Sequence, residues 1–306
     1  MRIQSIETNG CRAIADRKYD LPPFAEGKNL VAVVGPPASG KTSLLDVIAA
    51  GKEVVAPYGT QPAPSDLVRQ GFAECKIIID WGLTEDEEDF AAIDGPPRTE
   101  AIVRRQGLPD TDGDPGLVAL LERYSHYPGY GKIDYFPDDR GIPQHAVVGP
   151  DLVVDQQMRR LSRGPGKYAA LSRFTRTALT GADEGRTGET LKELFHKLCP
   201  WKKLVGIGGL GSPVFHSSSG VETPLDRLSA SEAMAFLFAA TFVMVGLHDS
   251  VVLIDTPELR FGPGDGARVL RELMGFAPTT QFIVATADPA VIDLVGPSGT
   301  VSLGAA

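Results

Sequence analysis

The chain has 306 residues, 42% of them hydrophobic and 23% charged, which suits a folded globular protein of one large domain or two intimate ones. Its 39 acidic side chains against 30 basic ones leave a formal charge of -9, which argues against generic affinity for nucleic acid or anionic membrane and confines any such contact to a local patch. Three scattered cysteines, Cys11, Cys75 and Cys199, form no CxxC or Cys/His cluster, so neither a disulfide framework nor a structural zinc is expected.

Met1 to Glu7 alternates like a strand and lacks the apolar run of a leader, which predicts a cytoplasmic protein. Residues 30–35, Leu-Val-Ala-Val-Val-Gly, read as a strand buried on both faces. Lys41 to Ala50 reads as a helix, with Leu44, Leu45, Val47 and Ile48 on its apolar face and Gly51 as its stop. A second strand, Ala73 to Trp81, runs into the acidic segment Glu85-Asp86-Glu87-Glu88-Asp89, read as a solvated loop. Gly, Pro and Asp then punctuate 92–150, predicting short strands and turns. Between Gln156 and Ala182 lie six basic residues (Arg159, Arg160, Arg163, Lys167, Arg173, Arg176) and no acidic one. That stretch is either a solvated face or the best candidate for contact with nucleic acid or an acidic partner. Helical patterns follow at 168–179 and 190–198, and hairpins at 203–224 with a turn at Ser217-Ser218-Ser219-Gly220. The remainder alternates helix (230–247), strand (251–255), helix (266–275), strand (281–286), the pattern of a parallel sheet flanked by helices. The longest apolar run, Ala233 to Leu247, falls short of the ~20 residues that span a bilayer and reads as a buried helix.

The strongest motif is Gly35-Pro36-Pro37-Ala38-Ser39-Gly40-Lys41-Thr42, a match to GxxxxGKS/T followed by Ser43, with a buried strand before it and an amphipathic helix after it. Glycines let backbone N–H groups face phosphate oxygens, the lysine reaches the β- and γ-phosphates, and the Thr42 hydroxyl binds Mg²⁺. Val251-Val252-Leu253-Ile254-Asp255 is an apolar strand ending in a carboxylate, which suits Asp255 to the Mg²⁺ as a Walker B acid. Leu228-Ser229-Ala230-Ser231-Glu232 contains an S-x-x-E capping box. The same segment reads as a signature loop, in which Ser229, Ser231 and the helix N-terminus meet the γ-phosphate of an ATP held by a second subunit.

In this order, and with Gln281 to Pro289 after them, these segments resemble the ABC-type ATPase heads of the RecF/SMC/OLD-like group. Glu7-Thr8-Asn9-Gly10-Cys11-Arg12 is similar to the family segment whose arginine lies near the nucleotide. Tyr135-Phe136-Pro137-Asp138-Asp139-Arg140-Gly141 is similar to a stretch of its compact AAA-type members. The resemblance implies an α/β P-loop NTPase, a two-lobed head with a mixed sheet flanked by helices, built from 1–91 plus 200–306 with a lobe inserted at 92–199. It also implies ATP and Mg²⁺ as cofactors and a head-to-tail pairing that sandwiches two nucleotides.

The departures bear on chemistry. The family places Glu directly after the Walker B Asp; this chain has Thr256, which cannot take a proton near neutral pH, and the nearest carboxylate is Glu258. Ala287 stands where the family has a switch histidine, and Ala230-Ser231 where it has the signature glycine. No Q-loop residue can be chosen among Gln106, Gln144, Gln156 and Gln157, and none of the five histidines has metal spacing. The leading expectation is an ATP-dependent switch with weak ATPase activity, acting as a homodimer or on a separate effector. The alternatives are a non-hydrolysing scaffold and, behind it, a small-molecule kinase. With 51 residues after Asp255 and no long arm, an appended nuclease is not expected.

Overall fold

The computed structural model describes residues 1–24, 28–59, 62–123, 132–143, 158–181, 186–209 and 211–304. Gln144, Gln156, Gln157, His126 and His145 lie outside them. At the centre is a five-stranded parallel sheet in the order β13 (Thr300–Ser302), β3 (Leu30–Val34), β12 (Gln281–Ala285), β11 (Val251–Asp255) and β7 (Ile133–Phe136). Alternation along these strands splits the core in two. Val31, Val33, Val251, Leu253 and Ile283 face one side, and Leu30, Ala32, Val252, Ile254 and Phe282 the other.

The first side is covered by α1 (Lys41–Val55), by the short helices α2 (Pro64–Leu67) and α4 (Pro115–Leu121), and by an antiparallel five-stranded sheet. That sheet runs β2 (Arg17–Asp20), β1 (Arg2–Asn9), β4 (Glu74–Gly82), β5 (Arg98–Arg104), β6 (Asp110–Gly113). The second side is covered by α5 (Leu171–Thr180), α6 (Arg186–Leu198), α7 (Ala230–Val245), α8 (Asp265–Phe276) and α9 (Pro289–Val295). Here α7 carries buried apolar residues all round, as a helix enclosed by neighbours must. Phe136 of β7 meets Phe238 of α7 at 4.9 Å between ring centroids. A small antiparallel sheet, β8 (Lys202–Ile207), β9 (Pro213–Ser217) and β10 (Glu222–Pro224), joins this side through Phe215 against Phe195. Its last turn closes with Gly220 N–H donating to Ser217 O, at the position the sequence predicts.

The parallel and antiparallel strands thus sit in separate sheets. The segment 92–199, expected as an inserted lobe, contributes to both: β5 pairs with β4 and β7 with β11, while α5 and α6 pack on the second side.

Two local readings are corrected. The acidic run is no loop but the short helix α3 (Glu85–Ala91). Thr84 accepts from Glu87 N–H while the Glu87 carboxylate accepts from Thr84 N–H, a reciprocal cap that periodicity does not reveal. Glu87 is fully buried and ion-paired to the Met1 amine at 2.5 Å. Gly51 does not stop α1, which continues to Val55. A Cβ there would come within 2.8 Å of Ile77 Cγ2, so this glycine serves the close approach of helix to sheet.

Candidate nucleotide site

The segment 35–40 links β3 to α1, with Pro36, Pro37 and Ala38 exposed at its tip and Ser39 buried. Gly40 caps α1 in the left-handed region, and a Cβ on it would meet Ile14 Cγ2 at 2.7 Å and Ala13 O at 2.8 Å. The turn after β1 therefore packs directly on the phosphate loop. Lys41 Nζ donates to Gly35 O at 2.9 Å and Pro36 O at 3.0 Å, so the lysine lies along the loop it is expected to serve. Thr42 and Ser43 follow on the first turn of α1, partly exposed.

Asp255 ends β11, and its carboxyl is 1% exposed with Oδ2 lacking a hydrogen-bond partner among the described residues. Burial pushes its pKa up; the Thr42 hydroxyl and Arg163 oppose that push, while Asp138 and Asp46 add to it. Thr42 and Asp255, distant in sequence, thus converge beside the phosphate loop. A buried carboxylate oxygen with no donor, next to a hydroxyl, fits an Mg²⁺ held by one carboxylate, one hydroxyl and substrate phosphates. No cluster of three or more His, Cys, Asp or Glu side chains that could hold a metal exists among the described residues, so an ion here would complete its shell with water or phosphate oxygens.

Thr256 has a φ of 52°, a left-handed conformation that is costly for a β-branched residue. It is held there from both ends: its N–H donates to Ala285 O at 2.8 Å, and Arg140 Nη2 donates to its carbonyl at 2.8 Å. The buried Arg140 guanidinium also donates to Asp255 O at 2.6 Å and Pro137 O at 2.9 Å, locking the strand end. Beyond this turn, Glu258 accepts from Thr286 Oγ1 at 2.9 Å and from Ala287 N–H at 3.3 Å. The carboxylate expected as base is thus engaged by the switch segment.

Arg12, with a φ of 28°, ion-pairs with Asp46 of α1. Its carbonyl accepts from Arg69 Nε at 2.9 Å. It lines two cavities. One, of about 670 Å³, lies beside Ser39 with Ala13, Arg17, Tyr19, Arg69 and Leu303 in its wall; the other, of about 460 Å³, lies beside Asp46, Tyr135 and Arg163. Ser229 caps α7, accepting from Glu232 N–H while Glu232 accepts from Ser229 N–H, so the capping box exists as read. Ser229 is exposed and Ser231 partly so.

The basic stretch is not one continuous solvated face. Arg160 and Lys167 are 1% exposed and both bind Asp134 of β7, at 3.0 and 2.7 Å. Arg163 is exposed yet pairs with Asp46 and Asp138; Arg159 is exposed, and Arg173 and Arg176 are half-buried. Gln106, the described Q-loop candidate, is exposed in the turn between β5 and β6. Asp46 and Asp138 carry no role in the sequence reading, and Arg163 only that of a possible contact in the basic stretch. The one available signal was Asp46, four residues after Thr42 and so on the same face of α1.

No protein-family model matches the chain, and no curated protein matches it. Solved structures do. An SMC head bound to the C-winged helix domain of ScpA is similar at a TM-score of 0.59 and 16% identity, over 96% of this chain and 92% of that one. The SMC head domain from Thermotoga maritima is similar at 0.53 and 16%, over 96% and 92%. The Smc head with an extended coiled coil, bound to the C-terminal domain of ScpA derived from Pyrococcus furiosus, is similar at 0.57 and 15%, over 96% and 91%. The chain therefore has the fold of an ABC-type ATPase head, in the form seen in SMC proteins.

Proposed function

We propose that the chain binds Mg-ATP, hydrolyses it slowly, and uses the difference as a switch that pairs two heads or engages a separate protein. The observation that carries this reading is the convergence of the Lys41 loop, Thr42 and the unpartnered Asp255 Oδ2. Backbone N–H groups of 35–43 would hold the phosphates, Lys41 would turn from its loop carbonyls to the β- and γ-phosphates, and Thr42 with Asp255 would hold the metal. Magnesium, when bound, neutralises charge on the bridging phosphate oxygens. The cavity beside Ser39 and Arg12 has the size and the mixed lining that a base and ribose need.

Glu258, the first carboxylate after Asp255 in the sequence, is the expected base, and taking a proton from a water requires an oxygen that already accepts from Thr286 or Ala287. That requirement supports slow turnover. It equally favours the second reading, a scaffold that holds ATP without cleaving it. Two of the similar SMC heads are bound to a domain of ScpA, which supports a separate polypeptide as partner here.

The deciding experiment is ATP binding and phosphate release by the native protein and by Lys41→Ala. Binding lost in the variant, with slow native release, is the expected outcome. Lys41-dependent binding with no release would establish the scaffold, and transfer of the γ-phosphate to a metabolite instead of water a kinase. Binding indifferent to Lys41 would overturn the assignment.

A further inference from the structure

A cation belonging to the chain stands beside the carboxylate assigned above to magnesium. The Arg163 guanidinium lies 3.8 Å from Asp255 Oδ2. It is held there by Asp46 Oδ1, which accepts from Nε at 3.2 Å and Nη2 at 3.0 Å, by Asp138 Oδ1 at 2.6 Å and by the Tyr135 hydroxyl at 3.0 Å. Asp46 follows Thr42 by one helical turn on α1, and Asp138 follows the end of β7, the strand beside β11. The guanidinium therefore sits among three carboxylates, those of Asp46, Asp138 and Asp255.

Its backbone is fixed as firmly. Residues 158–168 form an arm across the end of β7, pinned by Arg160 and Lys167, two buried cations that share the Asp134 carboxylate. Lys167 Nζ also donates to Tyr135 O and Arg160 O, and Gly164 N–H donates to Asp139 Oδ1 at 3.1 Å. Burying two cations on one carboxylate is an expensive way to hold a loop, and the side chain it delivers to the metal carboxylate is Arg163. Yet Asp255 Oδ2 makes no hydrogen bond to it. Arg163 stands at charge distance from the oxygen without closing on it, and a divalent ion seated on that buried oxygen would face its positive charge.

We propose that Arg163 and the divalent cation compete for Asp255, so that metal entry drives the Arg163 side chain off the site and loosens the arm of residues 158–168. Beyond the proposed function it takes only the metal assignment of Asp255, and it adds the residue that sets metal affinity and relays occupancy to the surface.

The test is Mn²⁺ titration by electron paramagnetic resonance, without nucleotide, on the full chain and on Arg163→Gln, Arg163→Lys and Asp255→Asn. The expected result is Mn²⁺ bound about fivefold to tenfold more tightly by Arg163→Gln, near-native affinity in Arg163→Lys, and loss in Asp255→Asn. A gain of affinity is not something a misfolded variant supplies. Mn²⁺ should also speed tryptic cleavage after Arg159 and Arg163 in the native protein, which reports on the arm without any substitution. An Asp255-dependent site that Arg163→Gln binds no more tightly, or an arm equally resistant with and without Mn²⁺, overturns the competition alone. Mn²⁺ binding indifferent to Asp255→Asn overturns the metal assignment and the competition with it, while Lys41-dependent ATP binding can still stand.

Discussion

Thr256 and Lys52 show how much of this molecule's chemistry is set by residues in costly positions. Thr256 is held at a φ of 52° by Ala285 and Arg140, where glycine would carry no Cβ penalty. Thr256→Gly should therefore leave stability unchanged or raise it by up to about 1 kcal/mol, the relieved strain being offset in part by glycine's entropy in the unfolded chain. Thermal unfolding checks this, and a clear loss would mean that the threonine hydroxyl, 3.3 Å from Asp255 Oδ1, outweighs the strain. Lys52 is fully buried on α1, 3.2 Å from Glu53 Oε1 and 2.7 Å above the Tyr58 ring. Burial pulls its pKa down to about 7, against the pull of Glu53. Above about pH 7 the folded chain releases this proton while the unfolded chain keeps it up to the ordinary lysine range, so unfolding takes up a proton and stability rises with pH across that window. Lys52→Met removes the penalty and leaves Glu53 its backbone donors, Tyr58 N–H at 3.0 Å and Gly59 N–H at 3.3 Å. The stability gap, variant minus native, should fall between pH 6.5 and pH 9.5, because only the native chain carries this titration. Urea unfolding at the two pH values measures that gap; a gap that stays constant or widens with pH would refute the assignment.

At the scale of elements, α1 joins the phosphate loop to the antiparallel sheet, and Gly51 sets how closely it lies on β4. Alanine is the better helix former by about 1 kcal/mol, yet its Cβ would press on Ile77 Cγ2 at 2.8 Å and Ile79 Cδ1 at 3.3 Å. Both neighbours are β-branched and stiff, so Gly51→Ala should cost a net 1–2 kcal/mol or so, and chemical denaturation that finds stabilisation would contradict this packing. The same glycine marks the boundary of what the sequence discloses. Strand, loop and helix from Leu30 onward were legible because their signals are local: a β-branched run, a glycine-rich motif, an apolar face. So was the strand ending in Asp255. Gly51 misled because a glycine needed for close approach and a glycine that ends a helix look alike until the partner strand is placed. The acidic run 85–89 misled because one of its five carboxylates, Glu87, serves a cap and a buried amine while the others remain near solvent. Arg163, 117 positions from Asp46, and Glu258, 28 from Thr286, owe their roles to contacts that no local pattern encodes.

At the scale of the whole molecule, strands from both ends of the chain enclose the site. β13 lies against β3, and Leu303 N–H donates to Val34 O at 2.8 Å, at the wall of the cavity beside Ser39. The exposed N-terminus of α7, with Ser229 satisfied as a cap, leaves Ser231 and the first-turn N–H groups facing outward. On the proposed reading these face a nucleotide held by a second chain, and a two-fold pair then contains two composite sites, each taking its phosphate loop from one chain and its serines from the other. Such a pair makes a demand that no monomeric ATP-binder makes. Lys41→Ala and Ser231→Arg should each abolish ATP-driven association when tested alone, because each spoils both sites of its own homodimer. Mixed in equal amounts, about half of all pairs are heterodimers, and each of those has one site with both defects and one with neither. Roughly a quarter of the native sites should therefore reappear, read as ATP-dependent association by sedimentation or as recovered phosphate release. Recovery in the mixture places Ser231 across from the Lys41 loop of the other chain. Ser231→Arg retaining full association by itself would leave Ser229 and Glu232 as a helix cap and nothing more.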